Sequence, residues 1–165
     1  MVINKNSTKN MNNLYTTEFK KIMQANCDFT STRSNRINEI VNIAKGMNIS
    51  RIGIAHCITF SHKAEILKQY LSKNFTVYTV GCKHDKVRKK EILGGESNRV
   101  MCNPAGQADY LNSKQTELNI SMGLCVGHDM IFSKKSKGLV TNLFDKDFTN
   151  SNRPEIAFRE IEKEL

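Results

Sequence analysis

The sequence predicts a single doubly wound α/β domain with a mostly parallel sheet of about four to five strands. Three observations carry that expectation. Short β-branched apolar runs alternate with amphipathic helical stretches. A strand, a helix and a second strand follow one another within about 30 residues, the length of a βαβ unit. And a chain of 165 residues can bury a sizeable core without disulfide or metal staples. The domain is expected over residues 31–165, after a polar arm, residues 1–30, that holds at most one short helix.

Residues Met1 to Asn13 are rich in Asn, Lys, Ser and Thr and offer too little apolar surface to bury. Leu14 to Ala25 reads as a short helix. Ser34 then caps a helix in which Ile37, Ile40, Val41, Ala44 and Met47 recur at helical spacing, with Gly46 near its end. Arg51 to Cys57 (RIGIAHC) is a run of the kind found in buried parallel strands. Ser61 to Lys73 follows as an amphipathic helix and Phe75 to Cys82 (FTVYTVGC) as the second strand. The crossover between them should be right-handed.

Lys83 to Val100 is charged, contains Gly94-Gly95 and shows no sustained period, so it reads as a long loop with one helical turn around Lys89 to Leu93. Asn103 and Pro104 suit the cap and first turn of a helix over Ala105 to Leu111, which sets Cys102 just outside a helix N-terminus. Leu118 to Cys125 is the third strand, and the next helix starts at His128 or Asp129. Gly138 to Phe144 is the fourth strand, and Glu155 to Leu165 closes the chain as a helix after Pro154.

Basic residues outnumber acidic ones by 25 to 16, a net charge of +9 that would suit a polyanion. The cations are nevertheless spread over helices and loops, apart from the Lys83 to Lys90 run (KHDKVRKK), and no nucleic-acid-binding motif accompanies them. That run reads as a solvated loop, and nucleic-acid binding ranks below the other readings. No apolar run approaches the roughly 20 residues of a membrane span, and the Asn-rich start has no signal-peptide core. A cytoplasmic protein is expected. Its five cysteines are then reduced thiols, metal ligands or catalytic groups rather than a disulfide framework.

The cysteine positions are informative. Cys57, Cys82 and Cys125 each end a predicted strand, so a parallel sheet delivers all three to its carboxyl edge, where neighbouring strands lie about 4.8 Å apart. Cys102 reaches the same edge from its loop. Four thiols suit tetrahedral Zn²⁺ or an iron–sulfur cluster, although no CxxC pair supports this locally. Any one of these cysteines could also be an ordinary small apolar filler at a strand end, and Cys27, which has no such placement, reads as structural or incidental. His128, three residues past Cys125, is expected to ligate the metal or, alternatively, to act as base toward Cys125 in a thiol-dependent enzyme. Asp129 is expected to cap the helix or accept from His128. His56 should face away from Cys57, and His62 and His84 should face solvent.

Asn103, Gln107 and Gly127 complete the expected ligand-contacting set, with capping a sufficient role for Asn103. The expected partner is a small molecule or a protein. There is no GxGxxG, Walker-type loop or GxSxG elbow, so glycine-rich nucleotide binding and serine hydrolysis have no motif behind them.

The segments IGIAHC (Ile52 to Cys57), MCNPAGQADYLN (Met101 to Asn112), TELNISMGLCVGHDMIFSKKS (Thr116 to Ser136) and LVTNLFDKD (Leu139 to Asp147) resemble an uncharacterised family described as metal-binding proteins, domain of unknown function number 1847. The likeness spans about Arg36 to Pro154. It implies metal binding through cysteines, which here would be Cys57, Cys82, Cys102 and Cys125. The additional N-terminal cysteines common in that family have no counterpart before Cys27.

Overall fold

The computed structural model describes residues 14–29 and 34–164. The arm expected over Met1 to Asn13 lies outside them. The chain divides into two compact units between Asn48 and Ile49.

The first unit contributes α1 (Thr17–Phe29) and α2 (Arg36–Gly46), which pack on each other. The Thr16 hydroxyl accepts from the Phe19 N–H at 3.1 Å, so α1 starts later than the apolar pattern suggested and runs on to Phe29. At α2 the cap is Asn35 rather than Ser34, because the Asn35 side chain takes the Asn38 N–H at 3.0 Å. Gly46 lies so close to the Phe29 ring that a Cβ there would collide with it.

The second unit is the doubly wound α/β body. Its strands are β1 (Arg51–His56), β2 (Thr76–Gly81), β3 (Leu118–Met122) and β4 (Leu139–Phe144), all parallel, in the order β2-β1-β3-β4. Helix α3 (Ser61–Leu71) links β1 to β2, α5 (Pro104–Ser113) precedes β3 and α6 (Val126–Lys135) links β3 to β4. The short α4 (Lys89–Leu93) is the single turn expected in the long loop, and α7 (Phe158–Glu164) lies near the chain end. From β1 the chain steps outward to β2, then returns past β1 to β3. With right-handed crossovers, that reversal puts α3 on one face of the sheet and α5 and α6 on the other.

Central strands β1 and β3 are almost wholly buried, with Ile52, Ile54 and Ile120 at 0% exposure. Each such isoleucine stabilises the fold by about 1.5–3 kcal/mol. Ala55 and Val80 pack with Ala108 and Leu111 of α5, Leu124, and Phe132 of α6. Gly53 lets α5 settle, because a Cβ there would meet Leu111 and Asn119. Among the described residues, no helix is long and apolar enough to cross a membrane.

The first three strands each stop before the cysteine expected to end them, whereas β4 ends at Phe144 as expected. Cys57 and Cys82 follow β1 and β2 directly, and β3 ends at Met122 because Gly123 turns the backbone into the left-handed region at φ 60°. In β4, Asn142 pairs with Ser121 but Phe144 with Met122, which leaves Leu143 as the extra residue of a bulge.

Two glycine substitutions test this turn. Gly123→Ala combines a disfavoured φ with collision against the Phe60 ring. It should lower the urea-unfolding free energy by about 2–4 kcal/mol. Gly127→Ala, helical and with nothing within 4 Å of the new Cβ, should raise it by up to about 1 kcal/mol.

Candidate functional site

The chain exits β1, β2, β3 and β4 along one edge, and four short connections fix what stands there. The Cys57 N–H donates to the Met122 carbonyl at 3.2 Å, tying the end of β1 to the end of β3. The Asn103 N–H donates to the Cys82 carbonyl at 2.7 Å, which brings Cys102 beside Cys82. The Gly123 N–H donates to the Phe144 carbonyl at 3.0 Å, joining β3 to the end of β4. Gln107 laces β1 to β2 from beneath, its side-chain amide donating to the His56 and Val80 carbonyls at 3.3 and 2.9 Å.

Cys125 is the N-cap residue of α6, which starts at Val126 rather than at His128 or Asp129. Its Sγ takes a hydrogen bond from Lys146 Nζ at 2.7 Å. The ammonium lies over the Phe148 ring, 5.5 Å from its centroid, and acts electrostatically on Cys57 and Cys102 as well. That hydrogen bond to Cys125 is the main cause raising the Lys146 pKa, ahead of the opposing effect of burial.

The other thiols form a chain of neighbours. Cys82 interacts through its side chain with Cys57 and with Cys102, and its Sγ accepts from the Ile58 N–H at 3.4 Å. Burial, first of all, pushes the Cys82 pKa up to about 11. Cys57 is pushed up by burial too, but hydrogen bonds from Thr59, then the charge of Lys146 and the Cys82 thiol, outweigh it and leave the Cys57 pKa below the ordinary thiol range. The Thr59 hydroxyl lies 2.9 Å from Cys57 Sγ. His128, in the first turn of α6, has its pKa lowered by burial, then by Lys146 and Lys83, which keeps the imidazole neutral near pH 7.

Cys57, Cys82, Cys102 and Cys125 therefore share one edge, with His128 beside them. Cys27 is exposed on α1. Asn103 is a helix cap, accepting from the Gly106 N–H at 2.8 Å. Gln107 is fully buried and its amide nitrogen is taken up by strand carbonyls, so it is a brace between strands. Gly127 lies open in the first turn of α6. Asp129 neither caps α6 nor accepts from His128, because its carboxylate bonds the Ser121 hydroxyl. His62 is exposed as expected, whereas His84 is half-buried, its ring edge-on to Tyr110 with centroids 5.2 Å apart.

Lys146 and Thr59 were missed by sequence reasoning. The signal for Lys146 was its place just after the fourth strand of a parallel sheet, where it had to emerge beside the thiols.

The sequence profile of a family described as "Protein of unknown function (DUF1847)" matches residues 2–143. The chain belongs to that family. A relative by sequence is "Uncharacterized protein MJ0455" of Methanocaldococcus jannaschii, 45% identical over 120 residues. The match covers 70% of this chain, which spans 62% of the relative's length. No solved structure matches it.

The donor chemistry of this DUF1847 site is soft and sulfur-rich, yet its side chains do not close on a common point. Among the described residues, no three His, Cys, Asp or Glu side chains are grouped to hold a metal ion. The cation already among the thiols is the Lys146 ammonium.

The two shifted thiols have opposite pH signatures. Cys57 ionises at lower pH in the fold than in the unfolded chain, so its stabilisation is lost as pH falls through the folded value. Cys82 ionises later in the fold, so stability drains away as pH rises from the ordinary thiol value of 9.0 toward about 11. Urea unfolding across that upper window should show the fall, and Cys82→Ala should flatten it. Thr59→Val should move Cys57 alkylation to higher pH.

Proposed function

We propose that the protein is a thiol-dependent enzyme in which Cys125 is the attacking sulfur, Lys146 its counter-ion and His128 a neutral base at the same helix start. The observation that carries this reading is the 2.7 Å contact from Lys146 Nζ to Cys125 Sγ at the first turn of a ten-residue helix. The Cys125 sulfur there has an ammonium as its hydrogen-bond donor and stands at the N-terminus of α6. Cys125 is only half-buried, so an electrophile can reach it. Cys125 stands just past the end of β3, which pairs with β1, and between these two strands an open α/β sheet of this order reverses its winding and forms its ligand crevice.

A second reading, a bound Zn²⁺ or iron–sulfur cluster, draws on the contact of Cys82 with both Cys57 and Cys102. It would require those thiols to turn toward one point and Lys146 to withdraw.

Alkylation by iodoacetamide, followed residue by residue by mass spectrometry on reduced protein, separates the two. Cys125 should react fastest at pH 7, and Lys146→Met should slow it about tenfold, the factor that goes with roughly 1.4 kcal/mol of lost charge stabilisation. Lys146→Arg should retain most of the rate. Equal rates at all five cysteines would overturn the thiolate reading. One tightly held zinc per chain, released on Cys82→Ser and protecting the edge thiols, would establish the second.

A further inference from the structure

The charged loop between β2 and α5 is folded back on itself rather than splayed into solvent. Arg88 and Val100 form an antiparallel bridge, the Met101 N–H donates to the Val87 carbonyl at 2.9 Å, and the Lys89 N–H to the Arg99 carbonyl at 2.9 Å. Lys83 Nζ is pinned to the Val100 carbonyl at 3.0 Å. The folded loop closes one side of a cleft of about 330 Å³, lined by Lys83, Lys89, Ser97, Arg99, Cys102 and His128 among others.

Three cations and no carboxylate face this space. Among the described residues, none of Lys83, Lys89 and Arg99 is paired with an acidic side chain. The volume is at the small end of ligand pockets. Unpaired cations converging on a concave, partly walled space concentrate anions there, because low-dielectric walls focus the field. Ser97 and His128 add side chains able to hydrogen-bond an oxyanion.

We infer that this cleft binds the oxyanion group of a small molecule, a phosphate, sulfate or carboxylate, and so presents an anionic substrate to the thiol edge. As a substrate site it rests on the thiolate reading above. As an anion site it stands by itself, since Cys102 opens into the cleft whatever Cys125 does.

Paired alkylating reagents of opposite character test it on the intact chain. Iodoacetate carries a carboxylate and iodoacetamide is its neutral counterpart. In both, the cysteine sulfur forms an S–C bond, the C–I bond breaks, iodide leaves with its electron pair and the thiol proton goes to solvent. The exposed Cys27 serves as internal reference. Relative to Cys27, the iodoacetate-to-iodoacetamide rate ratio at Cys102 should be higher by about tenfold or more at low salt, and should fall as salt screens the cleft. The double variant Lys89→Gln/Arg99→Gln, at two exposed positions, should bring the ratio close to that of Cys27. Millimolar inorganic phosphate should slow iodoacetate at Cys102 in the natural chain and not in the variant.

A ratio equal to that of Cys27, insensitive to phosphate, would overturn the proposal. So would protection by a mixed-sequence oligonucleotide without protection by phosphate, which would reassign the loop to nucleic acid. If Cys102 resists both reagents, phosphorus NMR line broadening of phosphate decides, with broadening lost in the double variant as the expected result and no broadening as the contrary one. Charge selectivity at Cys102 that persists while Lys146→Met leaves Cys125 unaffected would retain the anion site and remove the thiolate reading.

Discussion

Every feature of the edge follows from one constraint, the parallel pairing of all four strands. A parallel strand can discharge its chain only at the carboxyl end of the sheet, so residues far apart in sequence become neighbours there. Register is set at the opposite end. The Glu117 carboxylate accepts from the Ser50 and Arg51 N–H groups at 2.9 and 2.8 Å, fixing the start of β1 against the start of β3. Five pairs later the same register delivers His56 opposite Met122, with Cys57 and Gly123 as the next residues out. Pairing at one end thus decides which side chains meet at the other, and it does so through backbone bonds that carry no information about chemistry.

What the side chains make of that company is an electrostatic division of roles. Thiols removed from water resist ionisation, as Cys82 does, and a cluster with nothing else in it would remain protonated. Thr59 and, after it, Lys146 change the balance for Cys57. The edge therefore holds one thiol kept protonated well into the alkaline range beside another that ionises early.

Much of this was legible from the residues. Alternation of β-branched runs and helical stretches placed the strands to within a residue, apart from the end of β3, which falls three residues early, and the rule that parallel strands end at one edge pointed the cysteines there. What escaped depended on interactions that spacing does not encode. Lys146 reaches Cys125 by way of the Leu143 bulge and the bond from Gly123 to Phe144. Cys125 reads as the end of an apolar run, yet Gly123 has already broken the strand and made it the cap of α6. Gln107 looked like a ligand contact one helical turn from Asn103. Its amide nitrogen bonds two strand carbonyls that only the assembled sheet puts within reach, while its buried Oε1 has no hydrogen-bond partner. The Lys83 to Lys90 run looked like solvated surface because its partner segment, Ser97 to Met101, shows no strand pattern of its own.

That last case bears on the chemistry of the whole edge. Helices α5 and α6 both begin there, adding the positive ends of two helix dipoles to the field of Lys83 and Lys146. A neutral substrate would gain little from such a potential, whereas an anionic one would be drawn toward the same place that stabilises charge on sulfur. The two effects compete as well as cooperate, since an anion held in the cleft weakens the pull of Lys83 and Lys146 on whatever charge the thiols carry. His128 lies where both are felt. Its lowered pKa reflects, after burial, the two lysines, so an anion held in the cleft would raise it again.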